Sequence, residues 1–365
     1  MRTGIIGLPQ VGKTSLFRML TQAPLADHHG ARETHVGVAK VPDERLDRLA
    51  ALYQPKKTTH ASVEYVDVAA ISPPGPEARG AALPEALITS LRPVDALAQV
   101  LRAFDDPAIP HLGKLSPLSD ARAVEFDLIL SDLAQVEKRR ERLEKDLKKQ
   151  KSAELEREHE LLVRAQQHLE RERPLREMEM AGDEKKRLRG FNFLSEKPML
   201  YVLNVGEQAD LGRELEEAPK RHGLTELAQH ANAAATAVCA KVEAELAEMS
   251  DADAAEFLAS YGLKESGLTR LIHSTYALLG LISFFTVGEV ECRAWTIERG
   301  TKAVDAAGAI HSDLAKHFIR AEVIRWDQLL EAGSEAEARA RGTLRLEGKE
   351  YVVQDGEMVH IRHSG

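Results

Sequence analysis

The chain has 365 residues, 43% hydrophobic and 29% charged, with 49 Lys and Arg against 58 Asp and Glu for a net charge of −9. That length suits two or three domains of about 100–200 residues each, and the acidic balance argues against a protein that coats nucleic acid or an anionic membrane with its whole surface. Two cysteines, Cys239 and Cys292, are too few for a disulfide framework or a four-thiolate zinc site and read as free thiols of a reducing, cytoplasmic compartment.

No apolar leader opens the chain, so no secretory signal is expected. The longest apolar stretch, 276–287, is shorter than the roughly 18–20 residues of a membrane span.

In chain order, the first element is a short apolar run, Gly4-Ile5-Ile6, that reads as a strand. It runs straight into Gly7-Leu8-Pro9-Gln10-Val11-Gly12-Lys13-Thr14, followed by Ser15 and a helix-like apolar pattern. Strand, glycine loop and helix in that order form a phosphate-binding loop. Its backbone N–H groups cradle phosphate oxygens at the helix N-terminus, the lysine reaches the β- and γ-phosphates, and the hydroxyl ligates Mg²⁺. Lys13 is the expected catalytic cation and Thr14 a metal ligand. Val63, Tyr65, Val66 and Val68 make a second β-rich run, with Asp67 near its end as the expected second metal ligand. Residues 96–101 read as a third strand. Strands alternating with helical patterns predict a parallel sheet with crossover helices.

From 137 to 189 the composition changes: 17 basic and 14 acidic residues give a local net of +3. Phe126, Leu130, Leu133, Val136, Leu143 and Leu147, then Leu155, Leu162 and Leu169, recur at helical or heptad spacing. This predicts two amphipathic helices folded as an antiparallel hairpin, one uninterrupted helix being the alternative. The cations Lys138, Arg139, Arg140, Arg142, Lys145, Lys148, Lys149 and Lys151 could contact RNA phosphates in a salt-dependent way. They could equally form a solvated face.

The sheet texture returns at 198–203 and 236–239. After the first of these stands Asn204-Val205-Gly206-Glu207, where guanine-binding proteins carry Asn-Lys-x-Asp. The asparagine offers a donor and an acceptor suited to adenine, and the loss of the lysine and the longer Glu207 argue against tight guanine selection. Beyond 280, runs 284–287, 292–297 and 351–353 read as strands, and 311–319 and 326–332 as helices, in a small α+β module.

These motifs resemble the YchF family of Obg-like ATPases, among the translation-factor-related GTPases. The resemblance covers essentially the whole chain. It rests on GLPQVGKT, NVGE, Val238-Cys239-Ala240 with Glu243 following, and the longer stretches 191–205, 289–303, 310–324 and 346–362. It implies a P-loop nucleotide-binding domain of 1–125 and 190–280, a coiled-coil-like helical insert of 126–189, and a C-terminal TGS domain of 281–365. It also implies Mg²⁺ as cofactor, ATP preferred over GTP, slow hydrolysis, and association with the ribosome, with ribosomal RNA as a possible contact of the insert. The nucleotide-binding set so implied is Gly7 to Ser15 with Asn204, Val205, Glu207, Cys239 and Ala240. His111 matches the loop histidine that the family offers as a catalytic candidate, and Ile71 the hydrophobic residue after its Asp-x-x-Gly motif.

Three departures bear on turnover. Ala70 stands in place of the motif's glycine, Ala31 falls where the family has a Mg²⁺-binding threonine, with Thr34 nearby, and Pro73, Pro74 and Pro76 stiffen the second switch. They leave two alternatives to an ATPase: a nucleotide-gated binding module with little catalysis, and a GTPase.

Overall fold

The computed structural model describes residues 1–22, 35–68, 83–109, 114–150 and 152–364. Residues Ala31, Thr34, Ala70, Ile71, His111 and the proline-bearing stretch 72–77 lie outside them, as does Lys151. No helix among the described residues is long and apolar enough to cross a membrane.

Among the described residues, twelve strands divide between two sheets. In the first, β1 (Arg2–Ile6), β2 (His35–Lys40), β4 (Ser62–Asp67), β5 (Ala96–Ala103), β6 (Met199–Val205) and β7 (Ala233–Val238) lie in the order β2-β4-β1-β5-β6-β7. The pairs β1–β4, β1–β5, β5–β6 and β6–β7 are all parallel. Strands β5 and β6 are buried almost end to end, the pattern of a parallel sheet covered on both faces. The helices of this body are α1 (Lys13–Thr21), α3 (Glu85–Leu91), α4 (Pro117–Lys149), α5 (Ala153–Leu169), α6 (Gly182–Leu188), α7 (Leu211–Arg221), α8 (Leu224–Ala228), α9 (Ala240–Leu246), α10 (Asp251–Ser260) and α11 (Gly267–Leu278). Each run expected to be a strand in this part of the chain is one.

The hairpin reading of the insert holds. Helix α4 ends at Lys149 and α5 begins at Ala153. The seam is built from Ile129, Val136 and Leu143 against Leu161, Leu162, Ala165 and Leu169. Phe126, expected in that seam, is 37% exposed, because the buried heptad positions start at Ile129. The change of core falls inside one continuous helix: Leu128 packs with the sheet, whereas Ile129 packs with the hairpin. On the return, Phe193 belongs to the hairpin and Leu194 to the sheet. The hairpin core thus gives way to the sheet core between 128 and 129 on the way out and between 193 and 194 on the return. Asp132 fixes the root, accepting from Leu194 N (2.9 Å), Ser195 N (2.7 Å) and Ser195 Oγ (2.6 Å).

One boundary needs correction. The chain forms two compact units, Met1–Val38 with Glu64–Leu278, and Ala39–Val63 with Leu279–Gly365. The stretch 39–63, expected within the nucleotide domain, belongs to the C-terminal unit. Its α2 (Glu44–Tyr53) and β3 (Lys57–Thr59) supply a helix and an edge strand there. Strand β3 runs parallel to β9 (Glu291–Glu298), Thr59 Oγ1 donates to Glu291 at 2.6 Å, and Arg45 donates to Asp355 at 2.8 Å. Pairing across more than two hundred residues leaves no periodicity signal to read.

The second sheet has the order β11-β10-β12-β8-β9-β3, with β8 (Leu281–Thr286), β10 (Phe318–Arg325), β11 (Arg345–Glu347) and β12 (Glu357–His363). Helix α12 (Ala303–Ile310) packs Ala303, Ala306 and Ala307 on Ile282, Phe284, Ile297 and Val323. Helices α13 (Ser312–Lys316), α14 (Trp326–Ala332) and α15 (Glu335–Ala340) complete this unit. Two expectations fail here. The helix expected over 311–319 stops at Lys316, and Phe318 and Ile319 begin β10 instead. Residues 351–353 make only an isolated bridge, Val352 with Lys302.

Candidate nucleotide site

Because β4, β1, β5, β6 and β7 are parallel, their carboxyl ends share one edge of the sheet. Strand β4 flanks β1 on one side and β5 on the other, so the strand order switches direction at β1 and ligands are expected in the crevice there. The sequence motifs all arrive at this edge: the glycine loop after β1, Asp67 closing β4, Asn204 near the end of β6, and Cys239-Ala240 after β7.

The loop geometry demands its glycines. Gly7 has φ +148°, and a Cβ there would sit 2.6 Å from the Val100 carbonyl oxygen. Gly12 has φ +97°, and its Cβ would lie 2.6 Å from Asn204 Nδ2. Both a left-handed conformation and a close neighbour exclude a side chain at Gly12. Gln10 adopts φ +63° without being glycine. Gly12 caps α1 with no side-chain hydrogen bond, and the first turn of α1 carries no acidic residue. The open N–H groups there meet no competing carboxylate of their own, as an anion site at a helix N-terminus requires.

Around this terminus the charged groups converge. Lys13 is buried, and its Nζ donates to the Leu8 carbonyl at 3.0 Å. Burial pulls its ammonium down to about 8, with Asp67 working in the opposite direction. The Asp67 carboxyl is raised by burial and held back by the Thr14 hydroxyl that donates to it and by Lys13. Thr14 itself is exposed, as are Pro9, Gln10 and Ser15, while Val11 is buried under the loop. Mg²⁺ fits this donor set: one hydroxyl and one carboxylate, already hydrogen-bonded, supply the oxygen ligands it takes when substrate phosphates and waters fill its remaining positions.

The NVGE segment also makes contacts within the fold. The Asn204 amide is engaged at both ends, Nδ2 donating to Val11 O at 3.0 Å and Oδ1 accepting from Ala240 N at 3.1 Å. It clips the phosphate loop to the start of α9, and one amide N–H and one oxygen lone pair are left over. Val205 and Cys239 are buried in the sheet core, so neither offers its side chain to a ligand, and burial raises the Cys239 thiol. Glu207 is exposed and takes hydrogen bonds from the Lys241 ammonium and, at 2.8 Å, the Tyr261 hydroxyl. Those two donors together lower its carboxyl, Lys241 contributing most. Glu243 holds the N-terminus of α11, accepting from Gly267 N at 2.6 Å.

Lys241 and Tyr261 were not legible as partners of Glu207, because helices α9 and α10 are brought to it only by folding. Arg102 was also missed. It closes β5 in register with Asn204, is buried, lies 4.4 Å over the Phe104 ring, and donates to Phe104 O at 3.2 Å and Ile109 O at 2.6 Å. A charged residue ending an eight-residue apolar strand was the available signal. It anchors the chain as far as Ile109, two residues before His111.

A family model, YchF-GTPase_C, "Protein of unknown function (DUF933)", matches residues 281–364. Over 99% of this chain and 99% of its own length, the "Ribosome-binding ATPase YchF" of Bacillus subtilis (strain 168) is 40% identical. The proteins of that name from Haemophilus ducreyi and Escherichia coli O157:H7 are 37% and 36% identical over 99% of this chain and 98% of theirs. The solved structure of the Schizosaccharomyces pombe YchF GTPase superposes with a TM-score of 0.84 at 30% identity, covering 99% of this chain and 97% of that one.

Proposed function

Since the chain belongs to the YchF family, to which a full-length relative at 40% identity ties it, we propose that it is a ribosome-associated P-loop ATPase of the cytoplasm that binds ATP with Mg²⁺. The observation that carries this reading is the Thr14–Asp67 pair with Lys13 beside it, at an α1 terminus free of side-chain caps.

In this reading the open amides of α1 and the Lys13 ammonium hold the β- and γ-phosphates, while Thr14 and Asp67 hold Mg²⁺. The metal supplies charge neutralisation on the phosphate oxygens when bound. The protein's share is positioning: Asn204 fixes the loop against α9, and the glycines let the backbone approach the phosphates. His111 is the candidate that orients the attacking water, and slow turnover is the reading favoured by Ala70 and Ala31, which stand where the family has glycine and a Mg²⁺-binding threonine. The preference for ATP rests on Glu207. Both of its carboxylate oxygens already accept from Lys241 and Tyr261, which weakens it as an acceptor for the two donors of guanine.

Ribosome association draws on the hairpin. Arg139 is spent on Glu158 at 2.8 Å and 3.0 Å, and Arg140 on Gln166 and Glu144. The exposed Lys138, Arg142, Lys145, Lys148 and Lys149 are left for ribosomal RNA. Calorimetry with Mg²⁺ and ATP, ADP or GTP tests the nucleotide part. Binding should favour ATP, and Lys13→Ala should lose it; intact binding in that variant would sink the assignment. Co-sedimentation with ribosomes under ATP, ADP and no nucleotide tests the coupling, which fails if binding ignores the nucleotide.

A further inference from the structure

At the edge of the first sheet opposite the phosphate loop, where β5 and β6 begin, lies a concavity of about 470 Å³. Its walls are the turn before β5, helix α6 and the chain entering β6. Five cations line it: Arg92, Lys185, Lys186, Arg189 and Lys197. Only two acids do, Asp95 and Glu196.

The acids do not balance the cations. Asp95 keeps its charge while it accepts the Arg2 backbone N–H at 2.7 Å, and five cations still face two acids. Glu196 has its carboxyl raised by burial, against the pull of Lys197 and Lys185. Lys185, Lys186 and Arg189 are exposed and have no ion-pair partner within 4.0 Å among the described residues. Their neighbours in sequence do have partners: Arg187 lies 3.6 Å from Glu154, and Glu184 pairs with Arg164 at 2.5 Å. The cations of α6 that meet the hairpin are therefore neutralised, and those that face the concavity are not.

The floor is built rather than incidental. Lys197 is buried, and its Nζ donates to Arg92 O at 3.0 Å and Val94 O at 2.5 Å. An ammonium has three donors, so one remains. Exposed Asn192, held at φ +49°, adds an amide with a donor and an acceptor to the wall. Converging cations suit phosphate oxygens, and an adjacent amide suits a base edge, so the combination favours a nucleotide strand over an acidic peptide.

We propose that this concavity docks the phosphodiester backbone of ribosomal RNA, with Lys185, Lys186 and Arg189 on the phosphate oxygens and Lys197 at the floor. It is a second phosphate site, separate from the phosphate loop and from the hairpin tip, and it takes ribosome association from the reading above.

The test measures binding of a fluorescein-labelled oligouridylate of about 12 nucleotides by anisotropy across a KCl series. Each phosphate contact on a single strand contributes a slope of about −0.7 in log K against log salt. The double variant Lys186→Glu/Arg189→Glu should lose about 1.4 of that slope and at least about tenfold in affinity. The comparator Lys220→Glu/Lys349→Glu, two exposed lysines outside both the concavity and the hairpin, should keep most of both. Unchanged slope and affinity in the first variant would overturn the proposal, as would loss confined to the comparator. Displacement of the oligonucleotide by ADP from the Lys13→Ala protein would also overturn it, since the site would then take free nucleotide. Ribosome co-sedimentation separates the two readings. If wild type and the first variant sediment equally, only this inference falls. If wild type does not sediment at all, the association itself fails and takes the proposal with it. A variant that still binds ATP but no longer sediments supports both.

Discussion

The Asn204 clip yields the sharpest prediction. Replacing Asn204 by alanine removes the acceptor for Ala240 N and the donor for Val11 O, whose residue is buried under the loop. A buried polar group left without a partner costs about 1–3 kcal/mol. The loop can relax and recover part of this before nucleotide binds, then must be re-ordered to take the phosphates. A net penalty of about 2 kcal/mol corresponds to roughly thirtyfold weaker ATP binding. Gly12 makes the argument stricter. In the native chain Gly12→Ala meets two obstacles, the left-handed φ of +97° and the 2.6 Å approach of its Cβ to Asn204 Nδ2. In an Asn204→Ala background only the φ term remains, at about 1–2 kcal/mol. The two substitutions should therefore cost less together than their sum, by about 1–2 kcal/mol in a double-mutant cycle on ATP affinity. Calorimetry with Mg²⁺ and ATP on the four proteins decides it. Strict additivity, or an Asn204→Ala protein with native affinity, would refute the clip.

Two further outcomes follow from named side chains. Asp132 is buried at the hairpin root and its carboxyl is pushed up to about 6 from the usual 3.8, by burial against the hydrogen bonds from Ser195 and Leu194. A raised folded pKa means that the native state holds the proton more tightly. Asp132 thus adds stability as pH falls through 6 toward 4, and that stability is lost as pH rises back through 6. Relative to Asp132→Asn, the native protein should gain up to about 3 kcal/mol between pH 7 and pH 4 in urea unfolding; a constant difference would contradict the assigned environment. Tyr261→Phe removes one donor from Glu207 and frees a carboxylate oxygen. The ATP-over-GTP affinity ratio should drop about three- to tenfold with little change in melting temperature, and an unchanged ratio in competition binding would remove Glu207 from base selection.

Local chemistry was readable where it is carried by contiguous residues. The phosphate loop needs strand, glycines, lysine and hydroxyl in immediate succession, so its function is written in one short segment. The helical insert was legible too, since a heptad repeat is itself a statement about which face is buried. The break between its two helices was not, because 148–152 holds no Gly or Pro. Nor was the exact seam. Phe126 and Ile129 are both apolar within one turn, and only the packing of α5 on α4 chose the second. In the C-terminal unit, Phe318 and Ile319 extend a helical pattern in sequence yet lie in β10, because the ladder with β12 and β11 outweighs local propensity.

By itself, then, the sequence determined the class of chemistry: 365 residues carrying a phosphate loop, an acid at the close of a strand, and a family pattern over nearly the whole chain. The net charge of −9 with +3 over 137–189 placed the basic surface in the insert region. Only the tertiary structure decided that Asn204 clips the phosphate loop to α9, and that Lys241 and Tyr261 bond Glu207. It also carried 39–63 to the C-terminal sheet, and gathered Arg92, Arg189 and Lys197 with the α6 lysines around one concavity. The physical reason is common to all of these. A side chain's partners across tens or hundreds of residues depend on how sheets and helices stack, and hydrogen bonds and ion pairs of that kind leave no period in the chain that makes them.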